Sequence, residues 1–196
     1  MYNLDVLEQI KKDAIANHIP ILMDETLDEI LDILKEEKPK QILEIGTAIG
    51  YSASQFAITI PDVHIDTIEL DEERANQAKE NIKNVGTESQ ITIYQGDAME
   101  ILPTINKQYD IIYIDANKGK YPIYLQEAIR LSKVGTIILA DNILYKGYVL
   151  GDYNKHKQRT AVRHLREYII ETMTNKRLET EILKIGDGLS ITRVIS

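Results

Sequence analysis

Ile42-Leu43-Glu44-Ile45-Gly46-Thr47-Ala48-Ile49-Gly50-Tyr51-Ser52 reads as a buried strand that ends in a glycine-punctuated turn and runs on into a helix. Gln41 to Ile45 has the length and branching of a parallel strand, and the helix begins near Tyr51. Gly46 and Gly50 let the backbone turn sharply and pass close to a ligand between the two. A dinucleotide fingerprint would read G-x-G-x-x-G, with a pyrophosphate resting on the helix N-terminus. This chain reads E-x-G-x-x-x-G and lacks the second glycine, which disfavours NAD. The turn suits S-adenosylmethionine, which carries no phosphate but offers a cationic amino group, a ribose diol and an adenine. A crossover that uses its glycines only to turn is the alternative the motif leaves open.

Working outward from this turn, strand-like runs alternate with helical patterns. The strands are expected at Gln41 to Ile45, Val63 to Glu69, Ile91 to Tyr94, Tyr109 to Ile114 and Val134 to Ala140. The helices are expected at 51–59, 71–84, 98–102 and 119–131. Such alternation predicts a doubly wound α/β sheet. Upstream, Leu4, Leu7, Ile10 and Ile15, then Leu27, Ile30, Leu31 and Leu34, recur at helical spacing. They predict two helices, 4–17 and 24–37, separated by Pro20, within an N-terminal helical segment 1–37. Downstream, a loop over 141–154 leads to a long helix over 155–174. Leu178 to Lys184, Gly186-Asp187-Gly188 and Leu189 to Val194 then read as a closing hairpin. Seven strands follow, mostly parallel with an antiparallel C-terminal hairpin, in a single domain over 1–196.

Composition bounds the chemistry. The chain has 196 residues with 43% hydrophobic content, enough for one α/β domain with a real core. No apolar run approaches the ~20 residues that span a bilayer, and the N-terminus shows no basic-then-apolar leader, so a soluble cytoplasmic protein is expected. With no cysteine there is no disulfide framework, thiolate metal site or thiol nucleophile, and any metal must take oxygen or imidazole ligands. The net charge of −8 argues against a generally basic nucleic-acid surface and leaves local patches to be read separately.

In open α/β sheets ligands lie beyond the carboxyl ends of the strands, and five acids occupy such places. Glu44, Glu69, Asp97, Asp115 and Asp141 end or follow the five predicted strands in turn. Glu69 lies about 20 residues past the turn, where an acid accepts hydrogen bonds from a ribose diol. The Asp71-Glu72-Glu73 that follows reads as a helix N-terminus complementing the macrodipole. Asp97 either borders an adenine edge, caps the next helix, or does both. Asp115, Asp141 and Asn142 are hard oxygen donors at neighbouring strand ends and suggest magnesium, against the plainer reading of Asp141-Asn142 as a turn. Lys118 either snorkels at the surface or faces a reacting oxygen.

Five elements agree in order and spacing with one family over nearly the whole chain. Glu44 to Ser52, Glu69, Gly96-Asp97-Ala98, Asp115-Ala116-Asn117-Lys118-Gly119-Lys120-Tyr121 and Asp141-Asn142-Ile143-Leu144-Tyr145-Lys146-Gly147 resemble the cation-dependent O-methyltransferases of the caffeoyl-CoA and catechol type. The resemblance implies a Rossmann-like class I methyltransferase fold. It implies metal ligands at Asp115, Asp141 and Asn142, and Lys118 at the reacting hydroxyl with Asp115 beside it in the catalytic set. The implied S-adenosylmethionine site comprises Met23, Gly46, Ser52, Glu69, Asp97, Ala98 and Asp115, Met23 lying in Ile19-Pro20-Ile21-Leu22-Met23-Asp24. The cation is magnesium, or manganese or calcium, and a homodimer is implied, which the apolar positions of the first helix could serve. Two positions depart from the pattern: Asn117 stands where members commonly have Asp, and Tyr145 where they have an aromatic such as Trp.

Within the family the chain looks most like the bacterial branch that methylates 5-hydroxyuridine at the wobble position of tRNA. Between Tyr153 and Arg166 lie Lys155, Lys157, Arg159, Arg163 and Arg166 with His156 and His164, and no acid. This basic run, with Lys146, is the expected contact for the phosphates of the anticodon region, or else a solvated basic helix end. Tyr145, Tyr148 and Tyr153 are expected either to stack on an unpaired base or to pack. Small catechol-like phenols are the alternative substrates. A non-catalytic module that keeps the cofactor pocket is the alternative of another class.

Overall fold

The computed structural model describes residues 2–151 and 158–196. Residues up to Thr104 form one compact unit and those from Ile105 a second.

In the first unit, α1 (Leu4–Ala16) starts where Asn3 Oδ1 accepts from Val6 N, and it buries Leu7, Ile10 and Ala14. Leu4 and Ile15, which share the helical spacing, are exposed. α2 (Asp24–Glu37) buries Leu27, Ile30 and Leu34 and ends in left-handed Lys38. β1 (Gln41–Ile45), β2 (His64–Glu69) and β3 (Ile91–Gln95) pair in parallel, Glu44 opposite Thr67 and Glu69 opposite Gln95. Their near-continuous burial in β1 and β2 reflects strands covered on both faces. Between them run α3 (Tyr51–Thr59) and α4 (Glu72–Val85), followed by α5 (Ala98–Ile101) and a 3-10 turn. Asp71 Oδ1 accepts from Arg74 N at 2.9 Å, so the acidic run is a helix start, as expected.

In the second unit, β4 (Tyr109–Ile114) pairs in parallel with β5 (Ser132–Ala140). β7 (Leu189–Val194) pairs antiparallel with both β5 and β6 (Leu178–Leu183). α6 (Tyr121–Arg130) and α7 (Arg159–Thr174) complete it. The strands run in the order β3-β2-β1 in the first unit and β4-β5-β7-β6 in the second, the mostly parallel strands with a terminal antiparallel hairpin that the alternation predicts.

Most boundaries agree with expectation to within one residue, and three differ by more. β5 begins at Ser132, ahead of Val134, because Ser132 pairs with Tyr109 before an irregularity that Gly135, at φ +95°, accommodates. The segment expected as helix 119–131 opens with a 3-10 turn, Lys118–Lys120, because Asn117 Oδ1 caps Gly119 N. α7 begins at Arg159; the earlier part of its expected span, 155–157, lies outside the described residues, as do Tyr153, Lys155, His156 and Lys157.

Candidate active site

The glycine turn is fixed by its strands. Gly46 N and Thr47 N both donate to Ile68 O, so β1–β2 pairing continues into the turn. Gly46 (φ +107°) and Gly50 (φ +79°) are left-handed, and a Cβ on Gly50 would press at 3.1 Å on Ile82. Glu44 is fully buried. Its Oε1 accepts from Ser52 Oγ at 2.5 Å and its Oε2 from Thr67 Oγ1 at 2.6 Å, tying the first turn of α3 to β1 and β2. Thr47 and Thr67 hydroxyls meet at 2.5 Å, a contact that sequence spacing does not reveal.

Glu69 closes β2 with both carboxylate oxygens oriented by the backbone: Oε2 accepts from Ala48 N at 2.8 Å and Oε1 from Asp71 N at 3.0 Å. Each oxygen keeps a second lone pair, which leaves capacity for a diol. Asp97 caps α5, its Oδ1 accepting from Met99 N at 2.8 Å, and Ala98 behind it is buried. Met23 stands exposed at the N-cap of α2. Of the residues expected to hold a cofactor, Met23, Gly46, Ser52, Glu69, Asp97 and Ala98 thus fall in the first unit, and Asp115 in the second.

In the second unit, Ile114 pairs with Ala140, so Asp115 and Asp141 follow paired positions at the ends of adjacent strands. Asp141 N donates to Ile114 O at 3.1 Å, and the Tyr121 hydroxyl lies 2.8 Å from Asp141 O. Asp141 is buried. Its own Oδ1 accepts from Asn142 N at 2.6 Å. Burial first, then the charge of Asp115, push the Asp141 carboxyl up to about 7, against the lowering pull of Asn142 N and Lys118. Asp115 is also raised, by burial, while Lys118 and a hydrogen bond from Tyr113 pull it down. Asn142 is left-handed at φ +56°, and its Oδ1 accepts from Lys118 Nζ at 2.8 Å.

The donor set suits a hard divalent cation. Two carboxylates that repel each other in a desolvated site gain most from a positive charge between them, and an amide oxygen completes an all-oxygen set. Among the described residues no group of three or more His, Cys, Asp or Glu side chains is placed to hold a metal, so the set consists of two acids and an amide. Asn117 stands outside it, being committed to capping the 3-10 turn.

The segment after Asn142 is held by residues far from it in sequence. Tyr145 (φ +45°) and Lys146 (φ +55°) are also left-handed, a conformation that costs non-glycine residues energy and persists only where surroundings enforce it. Asp187, in the turn between β6 and β7, enforces it: its Oδ1 accepts from Lys146 N at 2.5 Å and its carbonyl from Leu144 N. Arg166 of α7 donates from Nε to Val149 O at 3.0 Å and from Nη2 to Tyr148 O and Gly151 O. Tyr145 and Tyr148 meet edge to face, centroids 5.7 Å apart. The Gly186-Asp187-Gly188 turn was visible in sequence, but nothing local signalled that its acid would reach residue 146.

The basic run divides. Arg166 is spent on these carbonyls, which corrects its expected place in a phosphate-facing patch. Arg159 and Arg163 are exposed one helical turn apart on α7, Arg163 with Glu167 at 3.6 Å, and Lys146 is exposed. Lys155 and Lys157 lie outside the described residues.

The strand order and the glycine turn make this a Rossmann-like domain of the class I methyltransferase type. An O-methyltransferase family model matches residues 1–195. A catechol O-methyltransferase of Niastella koreensis is 36% identical over 165 residues, spanning 79% of this chain and 73% of that protein. A caffeoyl-CoA O-methyltransferase of Medicago sativa is 31% identical over 198 residues, spanning 94% and 80%. A solved Staphylococcus aureus structure, provisionally assigned as a caffeoyl-CoA O-methyltransferase, is 34% identical at a TM-score of 0.90, with 96% and 91% covered. The chain belongs to this O-methyltransferase family.

Proposed function

We propose that the protein transfers a methyl group from S-adenosylmethionine to a hydroxyl flanked by a second oxygen, with a magnesium ion held by Asp115, Asp141 and Asn142. We propose further that the acceptor is 5-hydroxyuridine at the tRNA wobble position, giving 5-methoxyuridine. The pair of desolvated carboxylates, Asp115 and Asp141, with an amide and an ammonium beside them, carries the reading.

When bound, the cation supplies a charge that acidifies the acceptor hydroxyl and orients it with its neighbouring oxygen. Asp115, Asp141 and Asn142 would hold that charge. Glu69 accepts from the ribose diol, its geometry set by Ala48 N and Asp71 N, and Gly46 and Gly50 keep the turn clear of side chains. Lys118 faces the acceptor oxygen and favours its anionic form. S-adenosylmethionine, when bound, would supply a sulfonium methyl for in-line transfer to the deprotonated oxygen, the C–O bond forming as the C–S bond breaks with its electron pair left on sulfur and the hydroxyl proton lost to solvent.

Lys146, Arg159 and Arg163 support an RNA acceptor as phosphate contacts, joined in this reading by Lys155 and Lys157. A homodimer through α1, whose Leu4 and Ile15 are exposed, belongs to the same reading. Small catechol-like phenols are the second reading, favoured by the names of the relatives. Methyl transfer assayed with and without EDTA, and in Asp141→Ala, tests the metal; activity that survives both refutes it. Mass spectrometry of tRNA nucleosides from a deletion strain tests the acceptor, with loss of 5-methoxyuridine expected. An unchanged level, where no second route to it exists, moves the assignment to phenols.

A further inference from the structure

α7 reaches the 3-10 turn that carries Lys118 through the His164 side chain. His164 is mostly buried and its Nδ1 lies 2.5 Å from Gly119 O. Its other nitrogen, Nε2, faces Arg163 Nη2 at 3.1 Å and Glu167 Oε2 at 3.9 Å. A carbonyl can only accept, so the contact with Gly119 O requires the proton on Nδ1; Nε2 then accepts from the Arg163 guanidinium, and Glu167 at 3.9 Å lies beyond hydrogen-bond distance. His164 therefore donates to the Gly119 carbonyl.

The same peptide turn is held on its other side by Asn117, whose Oδ1 accepts from Gly119 N at 2.9 Å and whose carbonyl accepts from Lys120 N at 2.8 Å. A Cβ at Gly119 would lie 3.2 Å from Asn117 Oδ1 and 4.0 Å from His164 Nδ1, so the cap and the imidazole close on the residue next to Lys118. Lys118 then projects to Asn142 Oδ1. Lysine carries four rotatable side-chain bonds, and without an anchored backbone its ammonium samples a wide volume.

We infer that His164 is a positioning residue: by holding the Gly119 carbonyl it fixes the backbone from which Lys118 reaches the site of methyl transfer. It touches neither acceptor nor cofactor. The inference rests on the catalytic placement of Lys118 proposed above, while the anchoring of the turn stands apart from it.

The test compares His164→Leu, which removes the donor, with His164→Asn, whose Nδ2 can replace Nδ1 in donating to the carbonyl. Amide hydrogen exchange at Gly119 and Lys120 is read on the protein without substrate. Methyl transfer is read on tRNA containing 5-hydroxyuridine and, separately, on catechol. Expected for His164→Leu are faster exchange at both amides and a kcat lower by about 10- to 100-fold. The KM for S-adenosylmethionine stays the same, and His164→Asn recovers both readouts. In the double variant with Lys118→Ala, kcat is no lower than in Lys118→Ala alone, because both changes remove one function. Equal losses in His164→Leu and His164→Asn, multiplying losses in the double variant, or unchanged exchange in His164→Leu each overturn the inference. Wild-type turnover of neither acceptor refutes the proposed function instead, and the exchange comparison still decides whether His164 holds the turn.

Discussion

Lys118 donates from Nζ to Asn142 Oδ1 across 2.8 Å, so an ammonium sits on the amide oxygen assigned to the cation. The oxygen has a second lone pair, but two positive charges on one atom repel, so each weakens the other's hold. Lys118→Ala is expected to leave Mn2+ binding equal or tighter, followed by electron paramagnetic resonance, while kcat falls about 100-fold. Parallel loss of metal binding and kcat would show that Lys118 supports the ligand set and not the acceptor.

Asp141 makes stability depend on pH with a definite sign. Its carboxyl is raised to about 7 in the fold from a value near 4 in the unfolded chain. Between these values the unfolded chain has released a proton that the native protein retains, so stability falls as pH rises through the window and the cost is complete above it. Asp141→Asn is expected to raise the Tm of the EDTA-treated protein at pH 8, by about 2–4 °C for each kcal/mol relieved, and to leave it unchanged at pH 4. Adding Mg2+ stabilises the wild type and not the variant. Calorimetry under the four conditions checks this.

Arg166 and its helix neighbours are expected to part company under mutation. Arg166 serves the carbonyls of Tyr148, Val149 and Gly151, which are only part-buried or exposed, so Arg166→Leu hands them to water and lowers stability by about 0.5–1.5 kcal/mol. Arg159→Glu with Arg163→Gln, whose amide can still donate to His164 Nε2, leaves Tm nearly unchanged, raises the KM for tRNA and flattens its dependence on salt, while catechol turnover is spared. Equal loss on both acceptors would refute a phosphate role for the pair.

Gly188 takes φ +92°, and a Cβ there would overlap Leu144 Cγ. Gly188→Ala therefore strains its own backbone and displaces Leu144, two residues from Asn142. A stability loss of about 1–3 kcal/mol by denaturant unfolding is expected, with weaker Mn2+ binding in the folded fraction. Metal affinity equal to wild type would show that residues 142–144 settle independently of the hairpin turn.

The sequence by itself determined the alternation of strands and helices, the glycine turn, and the placing of Glu69, Asp97, Asp115 and Asp141 at or just after strand ends. All of these are local: hydrophobic period, strand length and glycine positions write them within a few residues. The same holds for Asp71, whose capping role its place before a helix already implied. Only the tertiary structure decided what each polar group answers to. Glu44 is consumed by Ser52 and Thr67, Arg166 by backbone carbonyls 15 to 18 residues away, and Asp187 by Lys146 N, 41 residues away. His164 reaches back 45 residues to Gly119 O. A basic run looks the same in sequence whether its arginines face phosphate or carbonyl, because hydrogen bonding depends on which backbone groups the fold leaves unpaired. The raised carboxyl of Asp141 has the same origin, since burial and the nearness of Asp115 are properties of two packed strands and of neither strand alone.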